Sequence, residues 1–165
     1  MLNTYMIDLE SGSLCPDNNE LEIPMRNYRI DRINRTHRAL SLDFSFAHPV
    51  NNNAEIGLIV EKWSEGVWRA IHVFPTKFPF CKIADSHVKT FQDIFVNLKK
   101  GMGLKNSERC DIPAGNYSVR TPVDIRGEIP FWDGRFRSTF VLKRIATGKK
   151  IFCVKSLVNL VEVPQ

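Results

Sequence analysis

ALSLDFSF, residues 39–46, alternates without a slip. Leu40, Leu42, Phe44 and Phe46 fall on one side of an extended chain, while Ala39, Ser41, Asp43 and Ser45 fall on the other. A period of two with one apolar face reads as a half-buried antiparallel strand. The same reading extends outward in both directions. Residues 56–63 and 67–74 flank Ser64-Glu65-Gly66, which is a hairpin signal. Residues 138–145 and 151–154 flank residues 146–150 as a second hairpin, and residues 115–120 are a further strand entry. Strands at short, regular spacing predict an all-β fold, an immunoglobulin-like β-sandwich. One segment departs from the pattern. From Asp85 to Lys100, the residues Val88, Phe91, Ile94, Phe95 and Leu98 recur at helical spacing. Asp85 or Ser86 suits its start, Lys99 and Lys100 suit the negative end of its dipole, and Gly101 suits its stop. One short amphipathic helix is therefore expected among the strands. Its apolar face packs on the core or walls a ligand cavity.

The 165 residues show no repeat, low-complexity tract or linker, so residues 1–165 read as a single domain. With 43% apolar and 25% charged residues the chain is globular rather than disordered. Its net charge of +5 is spread thinly, without a run of five Lys or Arg, which argues against nucleic acid as a partner. The excess suits a mild attraction to anionic lipid headgroups. No apolar run reaches the roughly 18 to 20 residues of a membrane span. The opening MLNTYMIDLESG carries two acids and lacks the basic and apolar regions of a signal peptide. Read alone it points to the cytosol, although Met1 equally fits a start residue placed before a mature secreted chain.

The residue patterns give no sign of catalysis. There is no HExxH, GxSxG, P-loop or GxGxxG, and no spacing singles out an acid/base pair of carboxylates. The histidines, His37, His48, His72 and His87, form no ligand-spaced group with the cysteines, so neither a metal site nor a cofactor is expected. The chain reads as a binding protein rather than an enzyme.

Cys15, Cys81, Cys110 and Cys153 are an even set without a CxxC, as in a secreted domain held by disulfides. Four cysteines allow three connectivities. Their positions favour Cys15–Cys153, tying the two ends of the chain, and Cys81–Cys110, clamping the segment between. Sequons at Asn34-Arg35-Thr36 and Asn116-Tyr117-Ser118 mark Asn34 and Asn116 as candidate glycosylation sites and add to the case for secretion. In EIPFWDGRF, residues 128–136, the rings of Phe131 and Trp132 stand beside the turn dipeptide Asp133-Gly134. They either plug the end of the sandwich or contact something apolar outside it.

Residues 110–118, CDIPAGNYS, followed by residues 128–132, EIPFW, by Gly134 and by residues 148–155, GKKIFCVK, resemble the closing half of the ganglioside-activator branch of the ML lipid-recognition superfamily. Residues 34–38, 44–50 and 80–82 look like an insect branch of secreted and chemosensory relatives, and the resemblance covers roughly residues 28–163. The chain departs from the activator pattern in having half as many cysteines, and in Asp111, where a proline usually follows the equivalent of Cys110. The resemblance implies a β-cup with an apolar cavity and no catalytic residues. In the cholesterol-carrier branch of the same superfamily the cysteine near the start of the last strand is joined to one near the N-terminus, which supports Cys15–Cys153. The expected function is a secreted carrier of a lipid or other hydrophobic ligand, with Leu40, Leu42, Phe44, Phe46, Phe91 and Phe95 lining the cavity. Phe131 and Trp132 would be a rim that touches the membrane, with Arg135 and Arg137 meeting headgroups. The alternatives are a secreted interaction or co-receptor module with a closed cavity, acting through a receptor, and a lipid-presenting accessory to a glycolipid hydrolase.

Overall fold

The computed structural model describes residues 3–35, 37–72, 77–85, 89–104, 110–129 and 133–163. Its strands are β1 (Asn3–Leu14), β2 (Arg26–Arg32), β3 (Arg38–Phe46), β4 (Ala54–Ser64), β5 (Val67–Ala70), β6 (Lys77–Pro79), β7 (Gly115–Pro122), β8 (Asp124–Ile129), β9 (Gly134–Arg144) and β10 (Lys150–Glu162), with a helix, α1 (Lys89–Gly101). Among the described residues the larger sheet has the order β5-β4-β9-β10-β1-β8, with β6 also on β4, and the smaller has the order β2-β3-β7. Both sheets are antiparallel throughout. This is the all-β sandwich with one helix that the alternation implies.

The sheets meet through β3. Leu42, Phe44 and Phe46 are buried, and the Phe44 ring stands edge-on to Phe152 of β10 with centroids 5.3 Å apart. Val50, Ala54, Ile56, Val119, Leu142 and Ile151 pack into the same cluster. Burial of each large apolar side chain there stabilises the fold by about 1.5 to 3 kcal/mol.

The first hairpin turns on Glu65 and Gly66, whose φ values of 52° and 82° are both positive. Such a mirror-image turn matches the twist of the strands and sets Trp63 opposite Trp68, their rings 5.3 Å apart and edge-to-face. Its second strand, expected to reach residue 74, ends at Ala70; residues 73–76 lie outside the described ones. Phe80–Asp85 form a tight 3₁₀ turn that buries Phe80 against Phe95, centroids 5.8 Å apart, and the described helix runs Lys89–Gly101; residues 86–88, where its start was expected, lie outside the described ones.

β1 is a strand that the alternation reading passes over. Tyr5, Ile7 and Leu9 share one face, but a bulge between Leu9 and Ser11 then shifts the inward set to Gly12 and Leu14. The pattern breaks in mid-strand for that reason. Both disulfides have the expected pairing, Cys15–Cys153 with Cα atoms 5.6 Å apart and Cys81–Cys110 at 5.4 Å. The first welds the end of β1 to β10. The second closes the segment that carries α1.

Candidate functional site: the inward face of the large sheet

Residues opposite each other on antiparallel strands share a face, so the register sorts the large sheet's inward side into rows. Ile56, Leu142 and Phe152 make one row, and it lies under Phe44. The next is Leu58, Phe140, Val154 and Leu14. After it come Val60, Ser138, Ser156 and Gly12, and then Lys62, Phe136, Val158 and Leu9. The first row belongs to the main core. Phe136 joins Tyr5 and Leu160 in a second, separate buried cluster.

Between the two clusters the inward side chains are not fully covered. Leu58, Val60, Phe140, Val154 and Val158 all stay half-buried although they point between the sheets. Two hydroxyls sit among them: the Ser138 and Ser156 Oγ atoms share a hydrogen bond of 2.6 Å. A third comes from the small sheet. A bulge on β2, with Asn27 at φ 57°, brings the Tyr28 hydroxyl to within 1.8 Å of where a Cβ on Gly12 would stand, and Gly12 is the cross-strand partner of Ser156. Burial raises the pKa of the Tyr28 phenol, so it remains a neutral hydroxyl at ordinary pH. Together these groups form an apolar wall with a narrow neutral polar cluster across its middle.

A recess of ≈ 580 Å³ beside β2 shares Tyr28 with this cluster and is lined besides by Asn27, Arg29, Ser41 and Asp43. There the Asp43 carboxylate accepts a 2.6 Å hydrogen bond from Asn27, which holds its pKa below the usual value. On the other face of the large sheet Arg137 donates two hydrogen bonds, of 2.7 and 3.0 Å, to Glu61 and stacks 4.7 Å over Trp68. Arg135 makes a similar pair of 2.9 and 3.1 Å with Glu10. Both arginines, expected to meet headgroups, are thus already held by carboxylates. Lys99 of α1 is only 1% exposed, and desolvation lowers its pKa while Asp111 opposes that shift. Among the described residues, the one His/Cys/Asp/Glu group close enough to hold a metal is Cys15, Asp17 and Cys153. Its two sulfurs are consumed by the disulfide, leaving no thiolate to bind an ion.

Of the residues expected to line a cavity, Leu42, Phe44 and Phe46 are buried in the contact between the sheets, and Phe95 is buried against Phe80. Leu40 is half-buried at the end of the same face. The side chain of Phe91, and both Phe131 and Trp132, lie outside the described residues. Asn34 is exposed in the turn between β2 and β3, where its Oδ1 accepts a 3.0 Å bond from the His37 amide. Asn116 is exposed on β7 and accepts a 2.6 Å bond from the Ser45 hydroxyl. The half-buried wall itself was not foreseen. Its signals were a serine at position 138, where the alternation Phe136, Phe140, Leu142 calls for an apolar residue, and another at 156 within Phe152, Val154, Val158.

Neither a family model nor a curated protein matches this chain. Among solved structures it is similar to the crystal structure of a Niemann-Pick type C2 protein from Japanese carpenter ant, at 10% sequence identity and a TM-score of 0.32, over 95% of this chain and 92% of that one. A likeness that low assigns no ligand and no residue role.

Proposed function

We propose that this chain is a non-enzymatic binder of a lipid or other hydrophobic small molecule, held between its two sheets. The observation that carries the reading is the half-buried state of Leu58, Phe140, Val154 and Val158, which point between the sheets of a sandwich. A solid sandwich covers such positions. A partly covered apolar wall gains about 0.8 kcal/mol for every CH₂ of ligand it takes from water. The two disulfides support work in an oxidising compartment, hence secretion. Phe131 and Trp132, in the segment joining β8 to β9, are kept as the membrane-contacting rim, and Asn34 and Asn116 as glycan carriers. Leu40, Phe44 and Phe95 are kept as borders of the ligand space. Whether the carrier serves insect chemosensation, or presents lipid to a glycolipid hydrolase, follows from the ligand's identity.

The test is mass spectrometry of an organic extract of the native-source protein, with titration by an environment-sensitive fatty-acid probe. Extracted lipid and probe binding are expected, with Val154→Phe weakening the probe about tenfold while the circular dichroism stays unchanged. An empty extract and a silent probe reject the carrier. The second reading, a protein-interaction module, is favoured by one feature: Ile59 and Trp63, on the same face of β4, are 56% and 43% exposed.

A further inference from the structure

We infer that the ligand is a long apolar molecule bearing one neutral oxygen function, such as an alcohol, ketone or ester, and that Ser138 and Ser156 hold that oxygen partway along the apolar wall. The inference rests on the binding reading above and adds the ligand's chemistry to it. Four observations carry it.

First, the serines lie in the row between Leu58, Phe140 and Val154 on one side and Phe136 and Val158 on the other. An oxygen bound there has hydrocarbon on both flanks, so the polar group sits within the molecule's length or at the end of a short arm. Second, the two serines interrupt a face that is otherwise apolar, where an alanine or valine would complete the wall more simply, and each is the other's partner. Third, the hydrogen-bond capacity is unfilled. In the 2.6 Å Ser138–Ser156 contact one hydroxyl donates to the other, and the accepting serine keeps its own O–H for a ligand oxygen while both keep lone pairs. The Tyr28 hydroxyl, beside Gly12 in the same row, adds a further neutral donor. Fourth, the cluster is uncharged, and burial keeps Tyr28 protonated. A cation on this face, Lys62, is in the adjoining row, with its ammonium 5.6 Å from the centroid of the Phe136 ring. A carboxylate at the serines would lose its water with no opposite charge beside it.

Competition against a fluorescent fatty-acid probe tests this with one chain length in four forms: tetradecane, tetradecanol, methyl tetradecanoate and tetradecanoic acid. The alcohol and the ester are expected to bind about tenfold or more tighter than the alkane, the size of one well-made hydrogen bond. Ser138→Ala/Ser156→Ala should erase that preference and leave alkane binding unchanged. Removing both partners of one hydrogen bond is nearly neutral for folding, and the four-ligand series on the unaltered protein stands whether or not the variant folds. Equal binding of alkane and alcohol by the unaltered protein overturns the inference and leaves the carrier reading intact. So does a preference that survives the double substitution. Tightest binding by the acid, lost in Lys62→Met, overturns it in favour of an anionic ligand. Binding of none of the four overturns both readings together.

Discussion

A Cβ built on Gly12 stands 1.8 Å from the Tyr28 hydroxyl, 2.8 Å from that ring's Cζ and 3.2 Å from the Lys155 carbonyl oxygen. Gly12→Ala must therefore push Tyr28 out of its seat between the sheets. The expected loss is about 1 to 3 kcal/mol in urea unfolding, the usual cost of overfilling a packed site. Adding Tyr28→Phe removes the closest atom and should recover part of that loss; no recovery would mean that the ring itself, whose Cζ stands at 2.8 Å and is kept by Phe, is the real obstacle. Nothing next to Gly12 in sequence announces this role, because the atom that forbids a side chain comes from another strand. Phe44 is the opposite case. Its place on the apolar face is legible from alternation alone, and its contacts with Phe46, Tyr117 and Phe152 confirm it. Ser138 stands between the two: its alternation shows that it faces inward, but its partner Ser156 becomes visible only through the register of β9 on β10.

Elements whose pattern is local were legible, and elements whose pattern is broken or borrowed were not. β3, β4, β7, β9 and the start of β10 follow the period of two, and α1 follows its helical spacing over the described Lys89–Gly101. β1 hides behind its bulge, and the short β6 and β8 exist through pairing with β4 and β1 rather than through any pattern of their own. For α1 the second disulfide matters most. Cys81 and Cys110, 29 residues apart, close a segment whose helix places Phe95 and Lys99 in the interior. Replacing both cysteines by alanine should lower stability by about 3 to 4 kcal/mol on the loop-entropy model. Hydrogen exchange should locate the effect: amides of α1 lose protection, while those paired between β9 and β10 keep theirs. Uniform loss across both elements would show that α1 and the large sheet open as one unit instead.

Across the whole molecule, carboxylates tie distant parts of the chain together. Glu10 is held below its ordinary pKa by its hydrogen bond from Arg135, Asp17 by that from Lys150, and Glu61 by that from Arg137. Groups depressed in the folded state stabilise it above their ordinary pKa and cease to do so as the pH falls through the lowered values. The melting temperature should stay level from about pH 7 to pH 5 and fall below about pH 4. Because these pairs are solvent-exposed, the decline should be shallow and further weakened by salt. A drop already between pH 7 and 5 would instead implicate a histidine. The pairing of β1 with β10 sets a different limit, one of time. Tyr5 lies opposite Glu162 and Leu14 opposite Val154, so the first described strand waits for the last before it can take its place between β10 and β8. Contacts this distant along the chain slow folding. Until residues 150–162 have been synthesised, Tyr5, Ile7 and Leu9 present an unpaired apolar edge to chaperones and to other nascent chains. Once formed, the bond from Cys15 to Cys153 keeps the two strands within reach, so an unfolded chain that retains it should refold faster than a fully reduced one.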